Sequence, residues 1–294
     1  MLDFLAEAFA ARASTLRDVP DLDADSLVLC SGTLRRAPLV ETVRAASAAG
    51  FDGVSLYHRE YVAARDAGWS DSQLRSLLDG EGVAVAELDG VMRWLPGDAH
   101  GPSLAEFVAA ASELGARSVT ALETRGRTIG AELALEAASD AFAALCDHAA
   151  EAGLLVHIEY FPTSGIADLG TAVAVSRGAG RANGGVMCDL WHHVRGPDGG
   201  AAAFDGAAVV AVQVGDVAPV ASCDVVHEMM HGRRLPGEGA ADLVGLLRAL
   251  RASGCVAPIE VEVYSDELAA LEPVDAARRA HAALTRQLER AGLR

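Results

Sequence analysis

Residues Ala131 to Tyr160 read AELALEAASDAFAALCDHAAEAGLLVHIEY. The first part, Ala131 to Ala152, is rich in alanine with apolar residues at helical spacing, and Gly153 follows it as a helix-ending residue. The second part, Leu154 to Tyr160, is a short apolar run typical of a buried strand. The stretch therefore predicts a helix followed at once by a strand.

The same unit recurs along the chain. Eight short apolar runs are predicted as strands: Leu27 to Ser31, Gly53 to Leu56, Val83 to Leu88, Ser118 to Glu123, Leu154 to Tyr160, Gly185 to Leu190, Val209 to Val214 and Val256 to Val263. The other predicted helices are Pro38 to Ala49, Ser70 to Leu78, Ser103 to Leu114, Ile166 to Gly178, Ala201 to Ala207, Ala240 to Ala252 and Asp266 to Ala291. This alternation predicts an α/β fold, a single parallel (β/α)8 or TIM barrel, with a doubly wound open sheet as the alternative.

No linker or low-complexity segment divides the chain. Residues 1–25 are predicted as an extra N-terminal helical extension, and residues 26–294 as the barrel. Ser70 and Ser103 are plausible N-caps, and Gly50 and Gly115 follow predicted helix ends.

Composition excludes several mechanisms. The 294 residues carry 24 basic and 41 acidic side chains, a formal charge of −17, and every basic residue is arginine. Without lysine there is no lysine Schiff base, P-loop lysine or kinase-type lysine. The acidic balance disfavours a nucleic-acid partner.

The chain has five cysteines and no Cys-x-x-Cys pair, which favours a reducing compartment. It shows no signal-peptide pattern and no apolar run of membrane-spanning length. We therefore expect a cytoplasmic protein that binds a small molecule and neither nucleic acid nor membrane, with a homodimer left open.

Acidic residues collect where the predicted strands end, which is where the active site of such a barrel lies. They are Glu87, Asp89, Glu123, Glu159, Asp189, Glu260 and Glu262. Grouped carboxylates need a neutralising charge, which in a chain without lysine leaves arginine or a metal ion, and a divalent cation is the simpler expectation. His192 follows Asp189 by three residues, close enough to bind a cation or a substrate hydroxyl.

Five stretches together resemble the xylose isomerase-like TIM barrel superfamily, and within it the sugar phosphate isomerase/epimerase group. They are HIEYFP from His157, DLWHHVRG from Asp189, VQVGD from Val212, RRLPGEG from Arg233 and EVEVYS from Glu260. The resemblance runs from about Ser26 to the C-terminus.

The resemblance implies one divalent metal at the barrel mouth, with ligands at Glu159, Asp189, Gln213 and Glu262. It implies that Glu159 and Glu262 also move the substrate proton. His192 matches the histidine that touches the substrate beside the metal. Arg233 matches the arginine that steadies a substrate oxygen or the carboxylate of strand eight.

Gln213 departs from the epimerase pattern, in which histidine is common at this position. An amide oxygen makes the ligand set all-oxygen, so Mn²⁺ or Mg²⁺ is expected more than Zn²⁺. The resemblance implies a metal-dependent isomerase or epimerase that acts on a sugar, polyol or hydroxy-ketone by proton transfer next to a carbonyl. A metal-dependent lyase (dehydratase) and a non-catalytic small-molecule-binding barrel are the alternatives.

Other patterns allow different hypotheses. His227-Glu228-Met229-Met230-His231 matches the zincin motif, but Gly232 follows directly, so we interpret it as a short loop helix that covers the site. A DNA-repair endonuclease is disfavoured by the negative charge and the few histidines at strand ends.

Two further groups of side chains are candidates for substrate contacts. Arg125 and Arg127 are candidates to bind a substrate phosphate or carboxylate, although solvated loop arginines are the simpler interpretation. Trp69, Trp94 and Trp191 are candidates for an aromatic wall beside the substrate.

Overall fold

A computed structural model describes residues 22–294, and in it eight parallel strands close into a barrel in the order β1 to β8, with β8 pairing β1. The strands are β1 Leu27–Cys30, β2 Gly53–Tyr57, β3 Ala84–Val91, β4 Ser118–Leu122, β5 Leu155–Glu159, β6 Gly184–Asp189, β7 Val209–Val214 and β8 Ile259–Val261. The prediction of a single (β/α)8 TIM barrel is confirmed. The predicted N-terminal helix of residues 1–25 falls, up to residue 21, outside the described residues.

Helices surround the barrel between the strands. They are α1 Leu39–Ala49, α2 His58–Asp66, α3 Asp71–Glu81, α4 Leu104–Leu114, α5 Leu135–Ala150, α6 Leu169–Ala179, α7 Leu190–Arg195, α8 Val225–His231, α9 Leu243–Ala252 and α10 Pro273–Ala291. Two short 3-10 helices, Ser31–Leu34 and Leu268–Ala270, complete the set. No helix in residues 22–294 is long and apolar enough to cross a membrane.

The helix ends follow from local chemistry. Ser70 Oγ accepts from the Gln73 amide at 3.2 Å while the Gln73 side chain accepts from the Ser70 amide at 2.8 Å, so α3 begins with a capping box. Ser103 caps α4 in the same way. Gly50 and Gly115 end α1 and α4 in the left-handed conformation that favours glycine. These predicted caps are confirmed.

The chain after β6 differs from the prediction. Residues Ala201 to Ala207 form no helix, and α7 begins directly after the strand. The Asp189 carboxylate accepts from the Trp191 amide at 2.7 Å and so caps α7 at the strand end. The stretch Ala201 to Ala207 is short and contains Gly206, so its alanine content alone does not hold a helix. The sequence analysis also missed α2, which follows β2 without a loop.

The barrel interior is polar beneath its mouth. His157 Nε2 lies 3.1 Å from a Glu87 carboxylate oxygen and 3.1 Å from Ser118 Oγ. Burial lowers the pKa of His157 to about 3, so its ring is neutral. Glu260 is buried in the same interior and accepts from the Ser55 hydroxyl. These strand-end groups lie in the layer below the mouth.

Candidate active site at the barrel mouth

A cavity of about 440 Å³ opens at the mouth of the barrel. Its polar lining includes Arg59, Asp89, Glu159, His192, Arg233 and Glu262. Its apolar and aromatic lining includes Tyr57, Met92, Phe107, Leu122, Phe161, Met229, Met230 and Tyr264. A concave, largely apolar pocket with a few convergent charged groups is typical of a small-molecule site.

Glu159, Asp189 and His192 form the tightest group of potential metal ligands. His192 Nε2 lies 3.2 Å from Glu159 Oε1 and 3.3 Å from Asp189 Oδ2. One ligand atom from each of the three lies within 4.8 Å of the others. All three side chains are buried, which places their charges in a low-dielectric environment.

Arg233 joins the carboxylates of two strands. Its Nη1 lies 2.7 Å from Asp189 Oδ2 and 2.9 Å from Glu262 Oε2. Its Nη2 lies 3.2 Å from His192 Nε2, and its Nε donates to the Met229 carbonyl at 3.1 Å. A single guanidinium therefore connects the acidic centre to helix α8.

Neutral groups contact the other carboxylate oxygen of Glu262, Oε1. The Cys30 thiol donates to Glu262 Oε1 at 3.1 Å, and the Tyr57 hydroxyl and the Gln213 amide each approach it at 3.5 Å. The Tyr57 and Tyr264 hydroxyls are hydrogen-bonded to each other. This network fixes the orientation of the Glu262 carboxylate.

The pKa values of the buried acids are shifted in opposite directions, because burial raises all of them and the nearby cation outweighs it at Asp189. Burial, reinforced by Asp189 and opposed by Arg233, raises the pKa of Glu159 to about 8. Burial also raises the pKa of Glu262 to about 7, against the influence of Arg233. Burial alone would raise the pKa of Asp189, but Arg233 and His192 outweigh it and hold that pKa below its ordinary value.

His192 is neutral, because burial lowers its pKa to about 4. A neutral imidazole has one nitrogen free to accept a proton or bind a cation. The site therefore holds one ionised carboxylate, two carboxyls that titrate near neutral pH and one neutral base.

The donor set fits a divalent cation. Gln213 Oε1 is buried and has no hydrogen-bond partner among the described residues, so one oxygen of the predicted set is left for a ligand. In the predicted set the carboxylates of Glu159, Asp189 and Glu262 would supply the other oxygens, and Glu159 and Asp189 also belong to the group of close ligand atoms with His192. Buried oxygen donors of this kind suit Mn²⁺ or Mg²⁺.

The structure brings the predicted site residues together. Glu159, Asp189, His192, Arg233 and Glu262 are linked by direct contacts, and Gln213 joins them through Glu262. His192 lies in direct contact with the Glu159 and Asp189 carboxylates.

Cys30, Tyr57 and Tyr264 belong to the site but were not predicted from the sequence. The available signals were position, because Cys30 and Tyr57 each end a strand, and the EVEVYS stretch, which contains Tyr264.

Helix α8 carries the zincin-like motif and covers one side of the cavity through Met229 and Met230. Glu228 is buried and accepts from Arg195 at 2.6 Å and from the Ser222 amide at 2.8 Å. These contacts occupy the carboxylate that a zincin would use to activate water. The interpretation as a short covering helix agrees with this geometry.

Two groups of candidate substrate contacts lie outside the lining of this cavity. Arg127 binds Asp98 at 2.6 Å and the Pro96 carbonyl, and Arg125 binds the Gly97 carbonyl, so both brace loops and line no part of the cavity. The three tryptophans also lie outside the cavity lining, and Trp191 is fully buried beneath Arg233.

The aromatic wall consists of other side chains. These are Tyr57, Phe107, Phe161 and Tyr264.

Comparison with known proteins gives a family match over most of the chain. The sequence profile described as xylose isomerase-like TIM barrel matches residues 43–287. Among curated proteins, a 3-dehydroshikimate dehydratase of Pseudomonas aeruginosa is 37% identical over 92 residues. That match covers 31% of this chain and 14% of the relative's own length.

Solved structures share the fold at low sequence identity. An IolI protein with a bound zinc atom matches with a TM-score of 0.77 at 17% identity, over 90% of this chain and 99% of its own. An L-ribulose 3-epimerase matches with a TM-score of 0.68 at 18% identity, over 90% and 95% of the two chains. These likenesses support the fold, while the chemistry depends on the site.

Proposed function

The chain belongs to the xylose isomerase-like TIM barrel family, and from that premise we propose that it is a divalent-metal-dependent isomerase or epimerase. Its substrate is a small sugar, polyol or hydroxy-ketone, and the reaction transfers a proton next to a carbonyl. The relatives named above include an epimerase and a dehydratase, and both names are compatible with such chemistry.

One observation carries the proposal. Glu159 and Glu262 both border the cavity, while Asp189 and Gln213, on the strands between β5 and β8, do not line it. The two carboxyls thus border the substrate space from strands β5 and β8, which are three strands apart around the barrel. An acid and a base placed in this way can remove a proton from one face of a carbon and return it from another.

Each residue has a role in this scheme. Glu159, Asp189, Gln213 and Glu262 would hold the metal ion, which polarises the substrate carbonyl and stabilises the negative charge that forms beside it. Glu159 and Glu262 exchange the proton with the substrate carbon. His192 donates to or accepts from a substrate oxygen, and Arg233 fixes the ionised forms of Asp189 and Glu262.

A metal-dependent lyase is the second candidate. Gln213 in place of the histidine common in the epimerases and the match to a 3-dehydroshikimate dehydratase support it. Loss of water from a hydroxy-ketone starts with the same proton removal, so both reactions use the same carboxylates. They differ in whether a hydroxyl leaves before the proton returns.

The test is proton exchange with solvent. The Mn²⁺-loaded protein is incubated in D₂O with L-ribulose and, separately, with 3-dehydroshikimate. Nuclear magnetic resonance then detects deuterium incorporation, and ultraviolet absorbance detects a dehydrated product. Epimerase chemistry gives deuterated epimer, and lyase chemistry gives loss of water.

Glu159→Gln and Glu262→Gln are expected to lower the rate by about a hundredfold or more, since each removes a proton carrier. Glu267→Gln is the matched control, because Glu267 is exposed beyond β8 and does not border the cavity. Activity of either site variant within about tenfold of wild type contradicts the two-glutamate scheme.

A further inference from the structure

The side of the cavity formed by β3, β4 and α4 has its own chemistry, and it adjoins the acidic centre, because Leu122 pairs with Glu159 in the strand register. Phe107, Leu122 and Met92 form an apolar wall there, and His58 stacks on Phe107 with ring centroids 5.0 Å apart. The polar groups that accompany this wall are Arg59 and Asp89.

Arg59 offers an unused cation. Its guanidinium carbon lies 3.9 Å above the centre of the Tyr57 ring, which holds the planar group at the edge of the cavity. Among residues 22–294 it makes no hydrogen bond or ion pair, whereas the donors of Arg233 are occupied by Asp189, Glu262 and His192. The planar guanidinium of Arg59 is free to donate two hydrogen bonds to the oxygens of an anion.

Asp89 gives a second, independent sign of a ligand. Its Oδ1 is buried and has no hydrogen-bond partner within the described part of the chain. A buried polar oxygen without a partner is costly to the folded protein. Such an atom at the wall of a cavity marks a place where a bound molecule supplies the missing partner.

We propose that the substrate is an acid, a hydroxy-ketone whose carboxylate binds Arg59 while its carbonyl lies at the acidic centre. This inference rests on the proposed function and specifies its substrate class. Asp89 pairs with a hydroxyl of the same molecule, and the carbon skeleton covers the wall of Phe107 and Leu122.

The charges favour a carboxylate over a phosphate. Arg59 and Arg233 are the arginines that line the cavity, and Arg233 is already paired. Burial lowers the pKa of His58, the neighbouring imidazole, so it adds no positive charge. One guanidinium matches a singly charged carboxylate, whereas a phosphate dianion would keep uncompensated charge in an acidic protein.

The apolar wall disfavours a neutral open-chain polyol. Each hydroxyl that leaves water needs a new partner, and Phe107, Leu122 and Met92 have none to offer. A compact carbon skeleton that presents carbon–hydrogen bonds to this wall makes better apolar contact with it.

The experiment measures binding to the Mn²⁺-loaded protein by isothermal titration calorimetry. The probes are 3-dehydroshikimate, its methyl ester, D-fructose and D-fructose 6-phosphate. The acid and its ester differ in one charge, so their affinity ratio isolates the anion contact. The protein variants are Arg59→Gln, Arg59→Lys and, as the control for net charge, Arg279→Gln on the exposed face of α10.

We expect the acid to bind about ten- to a hundredfold more tightly than its ester, the range of a charged hydrogen bond. Arg59→Gln should abolish this preference, Arg59→Lys should retain part of it, and Arg279→Gln should leave it unchanged. Equal binding of acid and ester, or a preference that survives Arg59→Gln, overturns the proposal. So does failure of the acid to bind, or tighter binding of the sugar phosphate than of the acid.

Failure of the proposed function gives a different pattern. If the acid binds through Arg59 but neither proton exchange nor loss of water follows with the same compound, the acid site stands and the assigned chemistry is wrong. If L-ribulose is epimerised but the acid preference is absent, the chemistry stands and the substrate class is wrong.

Discussion

Arg233 donates from Nη1 to Asp189 Oδ2 at 2.7 Å, across 44 positions of sequence and between two fully or nearly fully buried side chains. The same nitrogen lies 2.9 Å from Glu262. The guanidinium thus places one positive charge between two carboxylates of the site. A buried charge that loses its partner is strongly destabilising, so this contact makes Arg233 a structural as well as a functional residue.

Arg233→Gln is expected to destabilise the metal-free protein by about 3–5 kcal/mol, because Asp189 and Glu262 lose their common cation. Mn²⁺ should restore part of the loss by supplying positive charge. Urea unfolding in EDTA and in Mn²⁺ measures both effects. Arg234→Gln is the control, since Arg234 faces the exposed Glu267 and should change stability little. Equal losses for the two variants contradict this account.

Stability of the metal-free protein should fall as pH rises. The folded-state pKa is raised to about 8 for Glu159 and Glu260 and to about 7 for Glu262, mainly by burial. A carboxyl with a raised folded-state pKa stabilises the fold fully below its unfolded pKa, and this contribution is lost as pH rises through the folded value. Each fully shifted group changes the free energy of unfolding by about 1.4 kcal/mol per pH unit in that window.

Thermal unfolding in EDTA between pH 5 and pH 8.5 checks this slope. Saturating Mn²⁺ should flatten the profile, since a bound cation favours the ionised carboxylates. Glu260→Gln should also reduce the fall of stability with pH, because it removes one of the carboxyls whose pKa is raised in the folded state. A metal-free protein that gains stability across this range contradicts the prediction.

Metal content should follow Asp189 rather than the zincin-like motif. Elemental mass spectrometry of dialysed protein should find about one divalent ion per chain, lost in Asp189→Asn, which removes a ligand charge. The double variant His227→Ala, His231→Ala should keep its metal, because these two rings stack on the outside of α8. Loss of metal in the double variant with retention in Asp189→Asn would reverse the assignment.

Gln213→His should change metal preference. An imidazole nitrogen in place of the unpartnered amide oxygen favours zinc over manganese and magnesium. Competition between Zn²⁺ and Mn²⁺ followed by calorimetry should show the zinc preference increase by about tenfold or more. Gln287→His, on α10, is the matched control, and an unchanged preference at position 213 argues against Gln213 as a ligand.

Glu228→Gln should loosen the covering helix α8. It weakens the contacts to Arg195 and to the amides of Ala218 and Ser222 and is expected to cost about 1–3 kcal/mol. Amide hydrogen exchange should accelerate in residues 218–231 while the barrel strands keep their protection. His227→Ala serves as the control on the same helix. Uniform acceleration across the chain would mean that Glu228 supports the whole fold.

The sequence predicted the fold because the fold depends on local patterns. Apolar runs such as Leu154 to Tyr160, separated by alanine-rich helical stretches with glycine ends, required only neighbouring residues to be recognised. The same alternation along strands placed His157 with Glu159, and Glu260 with Glu262, on common faces. The run Ala201 to Ala207 was wrongly predicted as a helix, because a stretch this short that contains Gly206 is not held helical by its alanine content alone.

The depth of each side chain within the barrel, and the residues that it contacts, were decided only by the tertiary structure. Glu260 and Glu262 share a face, yet Glu262 borders the cavity and Glu260 lies beneath it, because the stagger of the closed barrel sets the height of each side chain. Arg125 and Arg127 were candidates for substrate contacts in the sequence, but loop carbonyls and Asp98 occupy them. The sequence by itself determined the alternation of strands and helices and the acidic residues near the strand ends, since these are local patterns. Which of them meet, and which cation stays free for a ligand, depended on contacts between distant segments that form only when the barrel closes.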